Sequence, residues 1–70
     1  MVENAGGKKM YYVLIKLHGG LIKDVSFYYN ETGALYELYN FVRNMEPEDD
    51  DAAVYGKNGL IKNANQIIKE

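Results

Sequence analysis

The residues of this chain best suited to chemistry are a single histidine, a run of carboxylates, and tyrosines interspersed with lysines. His18 precedes Gly19-Gly20 with no second His, Cys or Ser motif beside it, so it has no local partner for general-base or nucleophilic catalysis. The glycines do not make a phosphate cradle either. Such a cradle needs a strand, a glycine-rich turn and then a helix N-terminus, whereas Gly19-Gly20 joins two strand-like runs. The chain therefore reads as a non-enzyme, with no catalytic residue and no cofactor expected.

Glu46, Glu48, Asp49, Asp50 and Asp51 form the acidic run. Hard divalent cations take carboxylate oxygens, but the run lacks the alternation and internal glycine of an EF-hand loop, so no metal site is expected. Its other uses are a docking loop for a basic partner or a solvated connector that discourages edge pairing. The connector reading is preferred. With no cysteine and one histidine, the chain also lacks the donors for a disulfide framework or a zinc cage.

The aromatic set is the most distinctive feature: Tyr at 11, 12, 28, 29, 36, 39 and 55, and Phe at 27 and 41. Interleaved with Lys16, Lys57 and Lys62, such rings can stack bases while the ammonium groups hold phosphates. Interleaved instead with Leu14 and Ile22, they suit a protein interface, where tyrosine buries its ring and keeps its hydroxyl at a wet rim. The second reading ranks higher. The net charge of −2 is slightly unfavourable to nucleic acid, and no RNP-type motif is present.

These residues must be positioned by few elements, because 70 residues allow one domain. Residues 1–9 are polar and glycine-bearing and read as a flexible tail, leaving 10–70 as the domain. From Met10, MYYVLIKL and LIKDVSFYY flank the Gly-Gly turn and predict a β-hairpin. A three-residue loop at His18 to Gly20 pairs Leu17 with Leu21 and gathers Tyr11, Val13, Ile15, Leu17, Leu21, Val25 and Phe27 on one face, which is expected to be the buried one. Tyr12, Leu14, Lys16, Ile22, Asp24, Ser26 and Tyr28 then form the opposite, uncovered face.

Asn30 or Thr32 can cap a helix over Ala34 to Met45, whose Leu35, Leu38, Val42 and Met45 make an apolar stripe, and Pro47 ends it. A second hairpin is expected around Asn58-Gly59, with Val54 and Ile61 on one face and Tyr55, Lys57, Leu60 and Lys62 on the other. Asn63 with Gln66 predicts a short helix from Ala64 to Lys69, a terminal strand being the alternative.

The expected fold is α+β: a small antiparallel sheet in β-β-α-β-β order, one main helix on one face and a short C-terminal helix. No apolar run approaches the roughly 18 residues of a membrane helix, and the lack of cysteine suits a reducing compartment, so a cytoplasmic location is expected. The functional expectation is an interaction module, an adaptor or inhibitor or a homodimer, that binds a protein through the open sheet face at Tyr12, Leu14, Ile22, Tyr28 and Tyr55. Single-stranded nucleic-acid binding through Lys16, Lys57 and Lys62 is the alternative.

Overall fold

A computed structural model describes residues 11–70; the expected tail at 1–9 lies outside them. Six elements follow in order: β1 (Tyr12–His18), β2 (Leu21–Tyr28), α1 (Glu31–Asn44), β3 (Asp50–Gly56), β4 (Gly59–Asn63) and α2 (Ala64–Ile68). The strands form one antiparallel sheet in the order β2-β1-β3-β4, so α1 carries the chain from the edge strand over β1 to β3. The α+β architecture with a short C-terminal helix is as expected.

The first hairpin corrects the expected loop. Gly19 and Gly20 sit at φ +60° and +83°, the left-handed angles a two-residue type I′ turn needs, and His18 pairs with Leu21. Leu17 pairs with Ile22 rather than Leu21, and the register then slips, so that Lys16 faces Asp24 and Val13 faces Phe27. Lys23 is the extra residue of a β-bulge. It restores the alternation beyond it, so Val13, Ile15, Val25 and Phe27 do share a face.

That face is the uncovered one, which reverses the expectation. Leu14, Ala52 and Val54 point to the other side, where they meet Ala34 and Leu38 of α1 in a fully buried cluster. Tyr12, Tyr28, Leu35, Phe41, Val42, Ile61 and Ile67 pack around it. The physical reason lies in β3. Its inward positions include the small Ala52 and Gly56, and Ala52 lies in the buried cluster with Ala34 of α1. A Cβ on Gly56 would lie 2.8 Å from Ile61 Cδ1, so glycine there makes room for Ile61 under the helices.

Both helix starts follow from local chemistry. The Asn30 side chain accepts the Gly33 N–H at 2.7 Å and caps α1. Asn63 and Gln66 form a capping box at α2, each side chain accepting the other's backbone N–H at 2.9 Å. In the second hairpin the turn residues are Lys57 and Asn58, closed by Gly56 and Gly59, one position earlier than Asn58-Gly59. A slip between Val54 and Tyr55 then pairs Lys62 with Val54, on the helix side, instead of grouping it with Tyr55 and Leu60.

Candidate interaction surface: the open face of the sheet

With both helices on one side, the pairing registers define what the other side displays. β1 contributes Val13, Ile15 and Leu17, β2 contributes Ile22, Val25 and Phe27, β3 contributes Ala53 and Tyr55, and β4 contributes Leu60. Tyr11 extends β1 in the same alternation, its ring centroid 5.4 Å from that of Tyr29. Several of these side chains are bare to solvent: Phe27 is 68% exposed, Ile22 65% and Leu60 49%. Charge is nearly absent. No lysine or arginine of the described strands pairs onto this face, and Asp51, opposite Leu17, lies at its end.

Five residues were expected to bind a partner. Ile22 and Tyr55 lie on the open face. Leu14 is wholly buried, and Tyr12 and Tyr28 pack beneath the helices, so these three are core residues rather than contact residues. Burial pushes the Tyr28 hydroxyl above the ordinary tyrosine value, and the neighbouring Glu37 carboxylate adds to it. Val13, Ile15, Leu17, Val25, Phe27 and Leu60 are the contact candidates that sequence reasoning put elsewhere or left unassigned. Their signal was present as alternation, but alternation does not say which face a helix will choose.

The three lysines of the nucleic-acid alternative are not on the open face. Lys16 lies under α1 with its ammonium 5.3 Å from the Phe41 ring centroid, and Lys57 sits in the β3–β4 turn. Lys62 is held by Glu70 at 2.6 Å and donates to the Tyr39 hydroxyl at 3.2 Å, while that hydroxyl donates to Glu70 at 3.1 Å. These contacts raise the Lys62 pKa, through Glu70 first, and lower that of Glu70. An aromatic and basic sheet platform is therefore not assembled.

The acidic run divides in two. Asp50 and Asp51 belong to β3, and the Asp50 carboxylate is bound internally, 2.7 Å from His18 Nδ1 and accepting the Glu46 N–H at 3.0 Å. The His18 contact, then the Glu46 N–H, hold the Asp50 carboxyl below its ordinary value. Gly19 N–H also donates to Asp49 O at 2.7 Å, so the connector is latched to the first hairpin turn. Glu46, Glu48 and Asp49 stay exposed, and Glu48 and Asp49 line a shallow cleft of about 480 Å³ reaching Leu17, Met45 and Ile68. Among the described residues no group of three His, Cys, Asp or Glu side chains converges as metal ligands. His18 acquires a carboxylate neighbour in Asp50, which spacing alone did not reveal, and the pair ties β1 to β3.

Comparison adds no relative. No protein-family model, no curated protein and no solved structure matches this chain. None of the described helices is long and apolar enough to cross a membrane.

Proposed function

We propose that this chain is a non-enzymatic interaction module, an adaptor or inhibitor in the cytoplasm, that binds a protein through the open face of its sheet. The observation that carries this reading is the contiguous, almost uncharged apolar surface spanning all four strands, with both helices on the opposite side. Exposed apolar patches beyond a few hundred Å² are unusual on proteins that work alone, and they mark contact surfaces. Phe27 and Tyr55 supply rings of the kind enriched in interfaces, and the missing cysteine suits a reducing compartment.

Photocrosslinking tests the reading directly. A benzophenone amino acid replacing Phe27 should crosslink to protein in the living host, and the same group replacing Tyr36, exposed on α1, should not. Equal crosslinking from both positions, or none from position 27, would refute the open-face assignment.

A further inference from the structure

We infer that the occupant of the open face is a second copy of this chain, seated face to face across a twofold axis so that two sheets form the inside of a sandwich and the helices its outside. This rests on the open-face reading above and names its partner.

Area is the first argument. The exposed parts of Tyr11, Ile22, Val25, Phe27, Tyr55 and Leu60 together present on the order of 600 Å². The partly exposed Val13, Ile15 and Leu17 add to that. A stable complex takes about 800 Å² from each partner, so one face of this sheet nearly suffices and a pair of them matches a standard interface.

Charge is the second. In an isologous contact each residue lies near the symmetry copy of its neighbours, so like charges would oppose each other across the axis. The open face carries one strand carboxylate, Asp51, and that lies at its end, away from the Val13, Ile15 and Ala53 centre. A foreign partner chosen by charge would need complementary groups on this face, and it offers only Asp51 at its end.

The edges are the third. Two copies could also join strand to strand, but both outer strands resist this. β2 carries the bulge at Lys23 and the charged pair Lys23-Asp24 near its turn, and β4 spans only Gly59–Asn63, has its own register slip and runs into α2. Stacking leaves these edges alone. Ala53, small and central, makes a dip that the Phe27 ridge of the other copy can enter at the roughly 10 Å spacing of packed sheets.

The fourth is the thin interior. Among the described residues the fully buried set is Leu14, Ala34, Leu38, Ala52, Val54 and Ala64, three of them alanine. Burial against a second copy would add to this small interior, and a second copy is always present in matching amount.

Sedimentation equilibrium of the full chain from micromolar to millimolar concentration tests the inference. Wild type should be a dimer, Phe27→Ser and Val25→Lys should each weaken it by about a hundredfold or more, since each change is made twice in the dimer, and Tyr36→Ser should leave it unchanged. Circular dichroism checks that the variants stay folded, and Val25→Lys keeps the test intact if Phe27→Ser does not fold. A wild type monomeric at millimolar concentration would overturn the second copy as occupant while leaving the crosslinking result from position 27 standing. A dimer equally tight in wild type, Phe27→Ser and Val25→Lys would overturn both this inference and the open-face reading.

Discussion

Replacing Leu14 and Phe27 by alanine, one at a time, tests which face of the sheet the helices cover. Leu14 has no exposed surface and lies against Leu38 and Val54, so Leu14→Ala removes buried carbons and leaves a cavity that a wall of strand backbone cannot fill. The cost is about 3 kcal/mol. Set against a total of about 3–10 kcal/mol for a chain of this size, that loss takes a large share of the stability. In a domain this small it should lower the melting temperature by about 12–24 °C. Phe27, 68% exposed, has few neighbours to lose within its own copy, and Phe27→Ala should cost under about 1 kcal/mol at a dilution where copies are separate. Urea unfolding followed by circular dichroism measures both, and two protein concentrations separate the intrinsic loss from any concentration-dependent one. A Leu14→Ala loss below about 1 kcal/mol, or a dilute-limit Phe27→Ala loss exceeding it, would refute the placement of α1 on the Leu14 side.

Other outcomes follow from the caps, turns and latches. Asn30→Ala should cost about 1 kcal/mol by freeing the Gly33 N–H at the start of α1, read by the urea midpoint, while Asn30→Ser should retain most of it. Gly59→Ala should cost about 1–3 kcal/mol, because φ +112° strains any residue with a Cβ, and an unchanged midpoint would refute the turn geometry. The Asp50 carboxyl is held below its unfolded value, so its contribution is complete above about pH 4 and disappears as pH falls through the folded-state value. Asp50→Asn should therefore flatten the acid limb of stability against pH, and an unchanged acid limb would show that the His18–Asp50 pair is not linked to folding.

Much of the fold was legible because its signals are local. β-Branched and aromatic residues in MYYVLIKL and LIKDVSFYY mark strands, Asn30 and the Asn63–Gln66 pair mark helix starts, and the Leu35, Leu38 and Val42 spacing marks the helix. The side of the sheet that α1 would cover was not legible, since both faces of β1 are apolar. That choice depends on Ala52, Val54 and Gly56, which reach β1 only through the long-range pairing with β3. The expected surface consequently lay one residue out of phase: of its five residues, Ile22 and Tyr55 share the open face, while Tyr12, Leu14 and Tyr28 lie beneath the helices. The His18–Asp50 and Lys62–Glu70 pairs were hidden for a related reason, being set by strand pairing and by the return of the C-terminus.

Lys23 acts on the first hairpin as a phase corrector. The glycine turn seats His18 against Leu21, and continued without interruption that count would bring Val13 opposite Ser26, mixing oily and hydrophilic side chains on each surface. One inserted residue reconciles a two-residue turn with a pattern written for an odd-length one. The strand thus carries two reading frames, one for the turn and one for the packing. Deleting Lys23 would shorten β2 by one position and force a choice between them: either the turn is rebuilt, or Asp24 and Ser26 change places with Val25 and Phe27.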